Sequence, residues 1–298
     1  MTTPPLVVTT NGISFACQTY SWQMSRELFR GHIDHIAKVV AGAGFRALEP
    51  EVFMLGDFFD GHRLSEALGE YDLELASVAL AAGWRYEEET DGEREEADSV
   101  IALLTRFPGA KLVLVQLPGQ DRSELQVRQR RAISCMNAVA RRAIDAGIRP
   151  TVHPNSPPGS VFRVATDYQI LLEGLDPGVG YTPDVGHVAV GGMDPLATVR
   201  LHRERLDHIH FKDVHADGSW AATGDGQVDF RAITEFLART HYHGWIVLED
   251  ESEQARQDPD EAARRNADFA RQVLLPAARQ AAPHQPEDAC AGSGGPLG

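Results

Sequence analysis

Short apolar, β-branched runs alternate along the chain with longer stretches whose apolar positions recur every three or four residues. Residues 13–17 (ISFAC), 46–50 (RALEP), 73–80 (LELASVAL), 111–116 (KLVLVQ), 149–153, 179–182, 207–212 and 245–249 read as strands. Residues 29–43, 62–71, 90–107, 123–146, 166–175, 194–205, 230–240 and 258–273 read as helices. Ile33, Ile36, Val39 and Val40 mark the buried face of the first helix, and Gly42 and Gly44 end it. Thr90 followed by Glu93 fits a capping box. Eight strands strictly alternating with eight helices imply right-handed crossovers and a parallel sheet. Eight such units within one domain of residues 1–275 fit an α/β fold closed as a single (β/α)8 barrel. A dinucleotide-binding sheet would carry a glycine-rich turn after its first strand; here that turn is TYSWQMS. The segment 276–298, rich in Pro, Ala and Gly, is expected to be a disordered tail.

Composition narrows the classes. The 298 residues are 43% hydrophobic and 24% charged, an ordinary globular balance. The net charge of −15, from 28 basic and 43 acidic residues, disfavours a nucleic-acid partner. Cys17, Cys135 and Cys290 are widely spaced and form no C-x-x-C, which excludes a disulfide scaffold or thiolate zinc site. They fit a reducing compartment, so a cytoplasmic location is expected. No basic and apolar leader is visible at the start, and no apolar run reaches ~18 residues, so no membrane partner is expected. A homo-oligomer is compatible with the sequence.

In a barrel, chemistry collects where strands end and βα loops begin. The second strand ends with Glu49, with Glu51 two residues on; the fifth ends with His153, then Pro154 and Asn155. The sixth leads to Asp184, Gly186 and His187; the seventh carries His208, His210 and Lys212; the eighth ends with Glu249, Asp250 and Glu251. Period-two alternation puts His208, His210 and Lys212 on the inward face, with Ile209 and Phe211 under the helices. His210 then lies nearer the mouth, and His208 a layer deeper as its support or as a core histidine. His153, Asp184, His210 and Glu249 supply two nitrogens and two carboxylates, which suit Mn²⁺, Co²⁺, Fe²⁺ or Zn²⁺ better than Mg²⁺ or Ca²⁺. His187 and Lys212 could handle protons or a developing oxyanion. Glu49, Asn155 and Trp22 are further candidates for substrate contact, and Phe53, Trp84 and Trp220 could also wall a pocket. Gly224, Asp225 and Gly226 form a loop able to fold over the mouth.

The pieces GFRALEPE, TVHPN, PDVGHVAVGGMDP, DHIHFKD, GDGQVDF and HGWIVLEDE, in this order, resemble the xylose-isomerase-like TIM-barrel superfamily of sugar-phosphate isomerases and epimerases, inosose dehydratases and endonuclease IV. The likeness covers residues 13 to 275, and the D-x-G-H, H-x-H-x-K-D and G-W-hydrophobic-E pieces are most similar to inosose dehydratases. It implies a divalent-metal enzyme, Mn²⁺ foremost, with His153, Asp184, His210 and Glu249 as ligands and His187, Lys212 and Glu249 as catalytic groups. The implied substrate is a sugar, cyclitol or oxo-glycoside that loses a proton α to a carbonyl to give a metal-held enediolate. His153 stands where two-glutamate epimerases carry a glutamate, which leans the expectation toward dehydration or another β-elimination and away from ketose/aldose isomerisation or epimerisation. A non-catalytic binding barrel is the reading from another class.

Overall fold

The computed structural model describes residues 5–8, 12–25, 28–206 and 208–281. Asp207, Cys290 and residues 282–298 of the expected tail lie outside the described residues. The barrel strands are β1 (Ile13–Gln18), β2 (Ala47–Glu49), β3 (Glu74–Leu75 and Ser77–Ala82), β4 (Lys111–Gln116), β5 (Arg149–Val152), β6 (Gly180–Tyr181), β7 (His208–Phe211) and β8 (Gly244–Leu248). The matching helices are α1 (Ile33–Ala43), α2 (Gly61–Gly69), α3 (Asp91–Leu104), α4 (Leu125–Asp145), α5 (Ala165–Gly174), α6 (Pro195–Leu201), α7 (Phe230–Arg239) and α8 (Pro259–Phe269). Parallel pairing runs from β1 to β2 and on to the first part of β3, and through β3, β4, β5 and β6. It also joins β7 to β8 and β8 back to β1. Isolated parallel bridges, Glu51 with Ala79, Tyr181 with Leu206 and Asp184 with His210, link the two stretches, so pairing passes through all eight strands.

Alternation along the strands sorts two cores. Outward residues such as Phe15, Leu48, Val78, Leu114, Ile209 and Phe211 pack under the helices in the large apolar cluster. Inside the barrel, Ala16, Ala47, Ala76 and Val247 form a small separate cluster with Trp245 against it. These small side chains leave room inside the ring for polar groups above them. Thr151 and Thr182 share a buried 2.8 Å hydrogen bond there.

The helices start where local chemistry dictates. Thr90 and Glu93 form the expected capping box on α3. Asp194 and Asp258 cap α6 and α8, each followed by proline. The chain stays helical through Leu275–Ala281, with Leu275, Ala277 and Ala278 buried. Order therefore extends past the boundary expected at residue 275, because those apolar residues pack on the barrel. Short helices at Tyr20–Gln23, Val52–Leu55, Val185–Val190 and Glu253–Gln257 fill βα loops that periodicity could not resolve. No described helix is long and apolar enough to cross a membrane.

Candidate metal centre

The inward faces of β7 and β8 deliver His210, Lys212, Glu249 and Glu251 to the C-terminal mouth, while Ile209 and Phe211 turn out to the helices, as alternation requires. His153 follows β5 directly. Asp184 is the N-cap of the Val185–Val190 helix, and its Oδ1 accepts the His187 N–H at 2.8 Å. One oxygen thus starts a helix while Oδ2 faces the barrel axis. Gly186 permits this close packing: a Cβ there would stand 2.7 Å from the Lys212 carbonyl oxygen.

His153, Asp184, His210 and Glu249 are all buried, and each offers a ligand atom within 4.8 Å of the others. His153 Nε2 lies 3.6 Å from Asp184 Oδ2, and His210 Nδ1 lies 2.8 Å from Glu249 Oε2. Both ring nitrogens of His153 have no hydrogen-bond partner although buried, and Asp184 Oδ2 has none beyond its ion-pair contacts with Lys212 and His153. Buried polar atoms are ordinarily satisfied, so unpartnered ligand-type atoms aimed at one point fit a metal-binding donor set.

Lys212, 1% exposed, is a buried cation of this site, and against the effect of burial the Glu49 and Glu249 carboxylates raise His210 to about 10. Lys212 Nζ is 2.5 Å from Glu251 Oε1, 2.8 Å from Glu249 Oε1, 3.2 Å from Asp184 Oδ2 and 3.2 Å from His187 Nε2. Burial alone would lower its pKa, but the Asp184, Glu249 and Glu251 carboxylates hold it well above the usual lysine range. Burial favours the neutral acid at Asp184 and Glu249, yet Lys212 overrides it, leaving Asp184 well below its ordinary value and Glu249 at about 2. Burial, then the Lys212 charge, lowers His187 to about 3, so its imidazole is neutral. His187 Nδ1 packs against the Ser156 hydroxyl at 2.7 Å, and its ring stands edge-on to Trp220 with centroids 5.0 Å apart. Burial raises Glu51 to about 7, and burial reinforced by Glu249 raises Glu251 to about 7.

A cavity of about 350 Å³ opens above the cluster. One wall is polar, with Gln18, Tyr20, Glu51, Asn155, His187 and Glu251; the other is the apolar inward face of β3 and β4, with Ala79, Ala81, Val113 and Val115. No arginine lines it among the described residues.

The candidates read from sequence fall into place unevenly. His153, His210, Glu249, His187, Lys212 and Asn155 line the cavity, with Asn155 Nδ2 held on the Gln116 carbonyl at 2.8 Å. Asp184 lies at its base. Glu49 does not line it: it is fully buried below, beside His208 and His210. Trp22 is misplaced as a substrate contact. It sits in the short helix after β1, buried, its indole N–H donated to Asp260 of α8 at 2.8 Å. Of the four loop aromatics only Trp220 lines the cavity. The 224–226 loop is a fixed turn, because the Asp213 carboxylate accepts N–H groups of Gly224, Gly226, Val214 and Val228 at 2.9 to 3.2 Å. Sequence reading passed over Glu51 and Glu251 as site residues. The E-x-E spacing at the ends of β2 and β8 was the available signal, since i and i+2 share one face.

An eight-stranded α/β barrel with His, Asp and Glu gathered at its C-terminal mouth defines a class of enzyme scaffold. Residues 37–273 match the xylose isomerase-like TIM barrel family, and the chain belongs to it. It is 30% identical over 224 residues to the rhizopine catabolism protein MocC of Rhizobium meliloti, an alignment covering 64% of this chain and 66% of that one. It is 26% identical over 226 residues to inosose dehydratase of Lacticaseibacillus casei, covering 64% of this chain and 75% of that one. Among solved structures it superposes on an L-ribulose 3-epimerase with a TM-score of 0.72 at 17% identity, covering 92% of this chain and 100% of the other.

Proposed function

We propose that this chain is a divalent-metal-dependent lyase of the inosose dehydratase type, acting on a neutral sugar, cyclitol or oxo-glycoside. The observation that carries this reading is the buried cluster of His153, Asp184, His210 and Glu249, with both His153 nitrogens unpartnered, at the base of a cavity. A divalent cation such as Mn²⁺ held there would supply Lewis acidity, polarising a carbonyl oxygen and offsetting the charge left when a neighbouring C–H is deprotonated. Neutral substrates fit the lining: its one lysine is already engaged by three carboxylates, and no arginine among the described residues offers a phosphate or carboxylate clamp.

The chain's own groups then handle the proton. His187 is neutral, with Nε2 at the cavity, and is the base for the α-proton. Lys212 shares Nε2 at 3.2 Å. A shift of the ammonium toward the substrate oxygen would both steady the developing negative charge and free the Nε2 lone pair. The C–H electron pair becomes the new double bond as the β-hydroxyl leaves, taking the proton held by the His187 imidazolium to depart as water. The apolar wall of β3 and β4 covers the ring's C–H face and keeps bulk water away. Isomerisation or epimerisation begins with the same step. Glu51 and Glu251, which face the cavity, favour that second reading insofar as they could return a proton to another carbon. The free, buried Cys17 and Cys135 accord with a reducing, cytoplasmic setting.

The test is a metal-reconstituted screen of ketoses, inososes and oxo-glycosides followed by NMR in D2O. Asp184→Ala and His210→Ala should lose bound metal and turnover together while remaining folded. His187→Gln should keep its metal and slow α-deuterium exchange by ~10²–10⁴. Protein purified without chelator that holds no metal and shows no metal-dependent turnover would instead be a binding barrel.

A further inference from the structure

Beneath the cavity, β2, β3 and β7 bring three polar side chains together in the barrel interior. Glu49, Ser77 and His208 are each 0% exposed. The Ser77 hydroxyl donates to Glu49 Oε2, and His208 Nε2 donates to the same oxygen at 2.5 Å. The other oxygen, Oε1, lies in ion-pair contact with His210 Nε2 at 2.8 Å, although neither atom has a hydrogen-bond partner among the described residues. His210 Nδ1, on the far side of the ring, lies 2.8 Å from Glu249 Oε2. One imidazole thus stands between a carboxylate that is sealed from the cavity and one that lines it.

A buried ion pair is weak evidence for stability, because desolvation offsets most of the attraction. Glu49 also cannot contact substrate, since it does not line the cavity. What its geometry does control is which ring nitrogen of His210 carries a proton. A histidine ligand is commonly oriented by a carboxylate on its second nitrogen, which fixes the tautomer and the ring plane. Here His208 and Ser77 occupy Oε2, so only Oε1 is left for His210, and the carboxylate cannot rotate without breaking both hydrogen bonds.

We propose that Glu49, braced by His208 and Ser77, is the positioning residue that keeps the His210 proton on Nε2 and leaves Nδ1 as the metal-ligating atom beside Asp184, His153 and Glu249. This rests on the reading of that cluster as a cation site. The rival arrangement, in which Glu49, His208 and His210 hold an ion of their own, has the donor set for it. It predicts a different stoichiometry.

The experiment uses the full chain, stripped of metal and titrated calorimetrically with Mn²⁺ and with Zn²⁺, alongside Glu49→Gln, Glu49→Ala and Ser77→Ala. One ion per chain is expected. Affinity should fall ~10–100-fold in Glu49→Ala. It should fall less in Glu49→Gln, whose amide oxygen can face Nε2 from the same place, and least in Ser77→Ala, which removes only a brace. Ser77→Ala also keeps the series informative if Glu49→Ala fails to fold. A merely structural role would not fix the tautomer. ¹⁵N-histidine spectra of the Zn²⁺-loaded wild type should therefore show His210 protonated at Nε2 and metal-bound at Nδ1. Binding through Nε2, unchanged affinity across the three variants, or two ions per chain would each overturn the inference while leaving the cation site intact. Absence of any binding by the wild type would overturn the cation site as well.

Discussion

Replacing Lys212 by methionine should destabilise the metal-free protein strongly and the metal-loaded protein much less. Methionine fills most of the same volume, so the change isolates the charge. Three carboxylates, Glu251, Glu249 and Asp184, stand 2.5, 2.8 and 3.2 Å from Nζ, with side chains 14%, 5% and 0% exposed. Removing one partner of a buried ion pair costs about 3–5 kcal/mol, because it strands the other charge. At roughly 2–4 °C per kcal/mol for chains approaching this size, the loss is about 6–20 °C in Tm. Protonation offers partial relief, since Glu251 already titrates at about 7. The loss should therefore be larger at pH 8 than at pH 6. A bound divalent cation brings its own positive charge to the same carboxylates, so saturating Mn²⁺ should narrow the gap between variant and wild type. Scanning calorimetry of chelator-treated and Mn²⁺-loaded samples at both pH values reads all of this. A metal-free variant that melts with the wild type at pH 8 would refute the electrostatic account of the site.

Glu51→Gln should gain stability over the wild type as pH rises. The raised pKa of Glu51, about 7 against an ordinary 4.5, means its contribution is fully present below 4.5 and lost as pH climbs through 7. Melting curves at pH 5 and 8 check the sign, and an equal difference at both would contradict it. Asp213→Ala removes the acceptor for four backbone N–H groups and should cost on the order of 2–4 kcal/mol, with faster amide exchange at Gly224 and Gly226. Protection unchanged at those amides would show that something else holds the turn. Thr90→Ala breaks the capping box of α3 and should cost about 0.5–2 kcal/mol by denaturant melting; no loss at all would mean that Glu93 caps the helix alone.

Much of the architecture was legible because periodicity is a local property. The run KLVLVQ could be bounded to the residue, and the H-x-H-x-K alternation correctly sent His208, His210 and Lys212 inward. The convergence of His153, Asp184, His210 and Glu249 followed from strand order alone, since a closed parallel sheet brings every strand's C-terminal end to one rim. What sequence could not show depended on loop geometry. Trp22 follows β1 by a few residues, but the intervening turn becomes helical and directs its ring to α8 rather than the mouth. Glu51 and Glu251 lie past the formal ends of β2 and β8 yet keep the strands' alternation, so acids that read as loop residues face the cavity. The fixed path of residues 224–226 depends on a carboxylate eleven residues away in sequence, which no local pattern reveals.

That anchoring divides the loop into two kinds of position. Its course is drawn by main-chain amides converging on Asp213, and a Cβ at Gly226 would come within 2.2 Å of that carboxylate. Gly224 sits at φ +92 with Phe269 beside it. Asp225 and Gln227, between and beyond the two glycines, contribute their side chains to neither constraint; Asp225 reaches only an exposed Arg265. Descendants of this chain, natural or designed, can therefore exchange residues at 225 and 227 to vary what the rim presents to solvent, while 213, 224 and 226 preserve the outline on which those changes are displayed.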